Sequence, residues 1–332
     1  MARKRATIRE VARVTGLSPA AVSYAMRGIQ VAPQTVERVR AAAARLGYEA
    51  DPIARALASG RTGMIGLLCG SLEDLWQQSL AVGIGRGLRE HDRYALILDA
   101  VGDPAREREL AMQLRDQRVD GILVQPLDPA APFWPELCST LPVVAIGDSL
   151  RGSAAEVVFD NRRGVTRALE HLRERGHRRV GVLTPTRPST PDRPADVHVM
   201  AEAGRLGLDI EMASAEHGPA AATRAARELL TRARPSAVFC FADSIAYGVY
   251  AAARELGLSI PDDVSVLGYD DHPMSGLLTP RLTTVDWNIG GIVRAAVRLM
   301  TEAADGRGER RRVVQRPTLC ERDSVADLSR RG

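Results

Sequence analysis

TIREVARVTGLSPAAVSYAMRG, residues 7–28, sets the reading of this chain. Thr7 is placed to N-cap a first helix, and Glu10, three positions on, completes a capping box. Ile8, Val11 and Ala12 fall on one side of that helix, with Val14 near its end and Gly16 as its breaker. Ser18 caps a second helix, with Pro19 at the first helical position, where the missing N–H loses no hydrogen bond. Val22 and Met26 give this helix an inward stripe, and Gly28 ends it. Pro33 then opens a third helix over 33–46, with Val36, Val39 and Ala43 inward and Gly47 as the stop. Residues 1–48 are therefore predicted to form a small three-helix head.

Moving outward, YEADPIARALASGRT (48–62) holds one short helix-prone stretch, Pro52 to Ala58, between breakers. It is too short to be stable alone, because helix nucleation is costly. Residues 49–62 therefore read as a linker, or hinge, that folds on contact with a partner. From Met64 the pattern changes. MIGLLCG, YALILD, VDGILVQP, PVVAIGD, RRVGVLT, AVFCFAD and VSVLGYDD are apolar runs of strand length. Helical stretches at 75–91, 104–118, 161–175, 220–234 and 244–256 alternate with them. That alternation predicts an α/β core of doubly wound parallel sheets. So many units in a chain of 332 residues predict two lobes rather than one.

Charge is unevenly spread. Residues 1–62 carry +7 and the remainder −3, within a net formal charge of +4. A basic head on a slightly acidic body points to a polyanionic partner for the head, or to a merely solvated surface. Cys69, Cys138, Cys240 and Cys320 are scattered, with no CxxC pair, which argues against a metal site or a disulfide framework and suits a reducing cytoplasm. The basic start lacks the apolar run of a signal peptide, and no apolar stretch approaches membrane-spanning length. The expectation is a cytoplasmic protein without cofactor.

The 7–28 string closely resembles the helix-turn-helix of the lac-repressor (LacI) family. The hinge LGYEADPIARALASGRT, the VxDNRxG, GHRR, FxxxDxxAxG and DVSVLGYDD segments and the terminal CERDSVA extend the resemblance over nearly the whole chain. It implies a transcriptional regulator, and a repressor at that. Such a protein has an all-α head and hinge followed by a two-lobed periplasmic-binding-protein-like core. By that pattern lobe one is 63–159 with 287–315, and lobe two is 160–286 with 316–332. A homodimer is implied, since two half-sites require two-fold symmetry. Its partners are double-stranded operator DNA and a small-molecule effector.

In a helix-turn-helix the second helix enters the major groove with its N-terminal residues at base edges. Here these are Pro19, Ala20 and Tyr24. Pro and Ala cannot hydrogen-bond a base but can meet thymine methyls. Tyr24 stands where the family usually has an Arg that binds guanine bidentately, so the operator is expected to diverge at that base pair. Ser18 and Ser23 are candidate phosphate donors, with Thr7 joining them at its helix N-terminus. For Thr7 and Ser18 the alternative is a helix cap alone. Arg3, Lys4, Arg5, Arg27 and Arg55 are candidate phosphate or minor-groove contacts, or solvated charges. The resemblance implies that Leu57 from paired hinges wedges into the minor groove.

For the effector, the resemblance points to the cleft at the carboxyl ends of the strands. Trp76 stands where an aromatic packs on the ligand, and Asp270 fits a cleft carboxylate. Asp160 and Asn161 mark a lobe crossover, with turn and helix cap as the alternative. Other positions depart from the family. Ala242-Asp243 replaces Asn-Asp, and Gly147-Asp148 replaces Asp-Arg. TPTRPSTPDRPADVHVM (184–200) replaces a helix start and reads as a non-helical loop with Arg193 and His198 as substitute polar groups. Trp76, Asp148, Arg193, His198, Asp243 and Asp270 are thus the candidate effector residues. The effector is expected to be less hydroxyl-rich than a sugar, or the pocket to be degenerate. A solute-binding protein fits poorly with the basic head. An enzyme fits poorly with the lack of a nucleophile elbow, P-loop or metal cluster.

Overall fold

The computed structural model describes residues 6–27, 31–48, 61–186, 195–216 and 218–329. Arg3, Lys4, Arg5, Arg55, Leu57 and Arg193 lie outside these, as does the side chain of Arg27. The chain forms two compact units, Met1–Thr62 and Gly63–Gly332, described here in turn.

In the first unit α1 spans Ile8–Thr15, α2 Pro19–Arg27 and α3 Pro33–Leu46. Glu10 reaches back over the first turn of α1, its carboxylate accepting the Thr7 amide at 2.7 Å and the Thr7 hydroxyl at 3.1 Å. Gly16 closes α1 in the left-handed region at φ 69°, a conformation that costs glycine nothing. Val11, Ala12, Val22, Ala25, Val39, Ala42 and Ala43 form the core. The buried stripe of α2 is thus Val22 and Ala25, while Met26 is only half-buried at its edge. Small alanines let three short helices close on one another with little volume to fill.

The second unit contains two six-stranded sheets. Along the chain its strands are β1 (Met64–Cys69), β2 (Tyr94–Asp99), β3 (Gly121–Val124), β4 (Val143–Gly147) and β5 (Ala155–Phe159), then β6 (Arg179–Pro185), β7 (Asp209–Ala215), β8 (Ala237–Cys240), β9 (Ser265–Gly268) and β10 (Thr283–Asp286), and last β11 (Arg311–Gln315) and β12 (Thr318–Cys320). The first sheet runs β11-β5-β4-β3-β1-β2 and is parallel throughout. The second runs β12-β10-β9-β8-β6-β7, parallel except for β12 against β10. The helices are α4 (Leu75–Arg89), α5 (Pro104–Asp116), α6 (Phe133–Thr140), α7 (Asn161–Glu174), α8 (Ala195–Leu206), α9 (Pro219–Ala233), α10 (Asp243–Leu256) and α11 (Ile289–Ala304). The chain passes from the first sheet to the second after Phe159, returns after Asp286 and leaves again after Gln315. One hydrophobic cluster takes in residues of both sheets, from Ile65 and Leu67 to Phe239 and Tyr269.

Several elements depart from the sequence reading. α6 is only eight residues long with Pro135 inside it, so it offers little periodicity. β5 reads AEVVF, an apolar run broken by Glu156. That carboxylate is 4% exposed because the 149–153 loop folds over it, with Ser149 Oγ, the Leu150 amide and Ser153 Oγ as donors. The stretch expected to be non-helical up to residue 200 turns helical at Ala195, directly after Pro194, where a proline no longer obstructs the turn. His198 therefore sits on a helix rather than in a loop.

Candidate DNA-binding face and interlobe site

On the head, the start of α2 presents Ser18, Pro19, Ala20 and Tyr24 to solvent, with Tyr24 43% exposed and Ser23 half-buried beside them. Ser18 Oγ accepts the Ala21 amide at 3.1 Å. Accepting this bond does not use the hydroxyl's own proton, so the cap and a second, outward hydrogen bond are compatible in one side chain. Thr7 is different. Its amide and its hydroxyl both lie within hydrogen-bond distance of the Glu10 carboxylate, which is the capping alternative for that residue.

In the core the sequence-predicted effector residues divide. Asp148 and His198 line one pocket of about 260 Å³ together with Asp160, Arg162 and Arg312. Asp148 and Arg312 come from the side of the first sheet, the other three from α7, its cap and α8. Asp160 Oδ1 accepts the Arg163 amide at 3.2 Å, the helix-cap alternative for that residue. Arg162 and Arg312 were not singled out from sequence. The signal for Arg312 was its alternation in RRVVQ, where Val313 packs inward while Arg312 stays exposed.

Asp243 is a correction. Its carboxylate is fully buried. Oδ1 accepts from the Tyr269 amide at 2.9 Å, the Asp270 amide at 3.3 Å and Thr284 Oγ1 at 2.6 Å. Oδ2 accepts from the His272 amide at 2.9 Å and Ser275 Oγ at 2.5 Å. Burial pushes its pKa up, opposed by the hydrogen bonds from Ser275 and Thr284. With five donors around two oxygens, no lone pair is left for an effector. Asp243 instead holds the 269–275 loop, and Gly268 is required beneath it because a Cβ there would lie 2.1 Å from Oδ1. Asp270 accepts the Asp243 amide at 2.8 Å, so one of its oxygens fixes the start of α10.

Trp76 is 3% exposed and is held by Asp74, whose carboxylate accepts the Trp76 amide at 2.9 Å. It begins a chain of six contacting rings. Trp76 meets Phe159 at 5.6 Å between centroids, Phe159 meets Trp287 at 5.1 Å, and Trp287 meets Tyr269 at 5.4 Å. Phe241 lies 5.0 Å from Tyr269 and 4.7 Å from Phe239. Trp76 Nε1, Gln77 Nε2 and both amide atoms of Gln125 are buried without hydrogen-bond partners, a capacity that ordered water would meet. Among the described residues no cluster of three or more His, Cys, Asp or Glu could hold a metal, and no helix is long and apolar enough to cross a membrane.

Known proteins resemble the chain along its length. The periplasmic binding protein-like domain family matches residues 169–325. The HTH-type transcriptional repressor PurR of Pectobacterium carotovorum subsp. carotovorum (strain PC1) is 30% identical over 340 residues, covering 97% of each chain. PurR of Klebsiella pneumoniae (strain 342) is 31% identical over 343 residues, again 97% of each. A crystal structure of the lac repressor dimer bound to operator and the anti-inducer ONPF superposes with a TM-score of 0.85 at 22% identity, covering 97% of this chain and 100% of that one.

Proposed function

This chain belongs to the LacI/PurR family of helix-turn-helix transcriptional regulators, and from that premise we propose that it is a repressor that binds a pseudo-palindromic operator as a homodimer and is gated by a small molecule between its lobes. It is a regulator rather than an enzyme, as its relatives are. The observation that carries the operator reading is the exposed N-terminal face of α2, with Ser18, Pro19, Ala20 and Tyr24 outward and the helix backed by Val22 and Ala25. Ser18 and Ser23 contact phosphates while Pro19, Ala20 and Tyr24 meet base edges. Arg27 and Arg55 add phosphate contacts, and Leu57 from each hinge wedges into the central minor groove.

Dimerisation is supported by exposed apolar side chains on and near one edge of the core. β2 is an edge strand of the first sheet, and its Tyr94 (65% exposed) and Ile97 are open on its two faces, as are Val82 of α4 and Val101 nearby in sequence. A bare apolar edge invites pairing with a second copy. The two lobes, 63–159 with 287–315 and 160–286 with 316–332, are the parts an effector moves. Lobe closure in one subunit changes the spacing of the two hinges, and with it the operator affinity.

The test is selection of bound duplexes from random DNA by the full-length protein at low and physiological salt. A two-fold symmetric consensus, with affinity falling steeply as salt rises, is the expected result. No enrichment over bulk DNA, or a Ser18→Ala, Tyr24→Ala double variant that selects the same consensus with unchanged affinity, would remove the reading. The burial of Trp76, Trp287, Phe241 and Tyr269 against one another favours a second reading, a repressor that needs no effector. A metabolite-dependent change in operator affinity separates the two.

A further inference from the structure

Gly63, the first residue of the second unit, is held on both sides. Its amide donates to Asp120 Oδ2 at 3.0 Å, and its carbonyl accepts the Tyr94 amide at 2.9 Å. The paired register of β1 and β3 begins at Ile65 and Gly121, so ahead of it the Asp120 side chain stands in for the strand. Gly63 has φ 72°, in the left-handed region that suits glycine, and the chain changes direction here. The amide that Asp120 grips belongs to the peptide bond joining Thr62 to Gly63, the last link between hinge and core.

Asp120 is itself held. Arg93 Nη1 donates to Asp120 Oδ2 at 3.2 Å, and Arg93 Nη2 donates to Asp305 Oδ1 at 2.5 Å. The side chains of Arg93 and Asp120 are 10% and 6% exposed. Asp305 is the C-cap of α11, and that helix starts at the Asn288 cap, just after the chain leaves the second sheet at Asp286. α11 is closely packed along its length. A Cβ at Gly83 or Gly87 of α4 would come within 2.7 or 3.0 Å of Val293 or Val297, and one at Gly121, beside Asp120, within 2.6 Å of Met300 Sδ. Arg93 therefore ties the peptide at the entrance to the core to the end of a helix that has no room to shift.

Buried ionic groups of this kind add little net stability, because desolvation offsets much of their attraction and an apolar filling often holds a fold as well. What charge-assisted hydrogen bonds fix, and an apolar contact does not, is direction. We propose that Arg93 and Asp120 are positioning residues for operator binding. They set the direction in which the hinge enters the core at Gly63, and so the separation that the two hinges of a dimer present to two half-sites. The role requires no contact with DNA. It rests on the reading of the chain as a dimeric operator binder.

The experiment uses the full-length protein, the symmetric duplex selected from random DNA, and the same duplex with one base pair inserted or removed between its half-sites. Its readout is the ratio of the Kd for an altered duplex to the Kd for the selected one. A substitution that merely lowers the folded fraction weakens binding to every duplex equally and leaves this ratio unchanged. The wild type should favour the selected spacing. In Arg93→Gln that preference should fall by about 2–30-fold. Asp120→Asn keeps the side-chain volume and an acceptor for Gly63, so the test does not depend on Arg93→Gln folding, and it should move the ratio in the same direction. Folded variants that keep the wild-type ratio within about twofold, or a wild type indifferent to spacing, would overturn the proposal and leave operator binding itself in place. If the wild type selects no symmetric duplex, the operator reading has failed and the proposal falls with it.

Discussion

Replacing Asp243 separates a structural carboxylate from a ligand-binding one. In Asp243→Ala the amides of Tyr269 and His272 lose their acceptor inside the fold, while that of Asp270 keeps Thr284 Oγ1 at 3.2 Å. The two hydroxyls can turn elsewhere, since Ser275 Oγ already lies 2.9 Å from Tyr247 Oη. Backbone amides cannot turn. Each buried donor left unsatisfied costs about 1–3 kcal/mol, and loss of the buried charge returns part of that. With two such amides the net expectation is about 2–4 kcal/mol. At roughly 2–4 °C per kcal/mol for a large domain, the melting temperature falls by about 4–16 °C. Asp243→Asn should fall in between, because its NH2 can face only one side of the donor set. Urea and thermal melts of the full-length protein supply the measurement. An Asp243→Ala protein within about 0.5 kcal/mol of wild type, the range of an ordinary surface substitution, would show that these hydrogen bonds do not hold the loop.

Tyr24→Arg should increase preference for guanine at the base pair facing it by about 1–3 kcal/mol, read by competition between operator variants. Trp287→Ala removes the central ring of the cleft and should cost about 3–5 kcal/mol, measured in urea melts. Acid should loosen the second lobe at its C-terminal tail. Burial, reinforced by Arg175, holds the His171 imidazole down to about 4 against an ordinary 6.5, although Glu321, 3.9 Å away, opposes the shift and His177 and Arg167 add to it. Burial also lowers His177, which contacts the Ala326 carbonyl at 3.3 Å. The unfolded chain therefore binds protons that the folded one refuses, so stability is full above pH 6.5 and declines as pH falls toward 4. Urea midpoints from pH 7.5 to 4.5 should show the slope, and a His171→Phe protein should flatten it.

What the sequence disclosed depended on whether the relevant physics is local. Capping at Thr7 and Ser18 and the stops at Gly16 and Gly47 involve residues a few positions apart, and all four appear as read. β7, β10 and β11 were not read as strands, whereas β1, β3, β4, β6, β8 and β9 were legible because burial on both faces makes them nearly continuous apolar runs. β5 was not, since Glu156 is tolerated in it only because the loop over 149–153 and Arg310, 154 positions away, supply its partners. Asp243 misled for the same reason. Its donors come from residues 26 to 41 positions further along the chain, and a motif position says nothing about whether a carboxylate's lone pairs are already taken. The pocket of Asp148 and His198 lies at the far end of that scale. Asp148, Arg162, His198 and Arg312 meet only because the chain crosses between the sheets after Phe159 and returns to the first sheet with β11. A charge that looks solvated in the sequence becomes part of a pocket wall when a crossover sets another element against it, whereas the head, built from contacts a few residues apart, can be read directly.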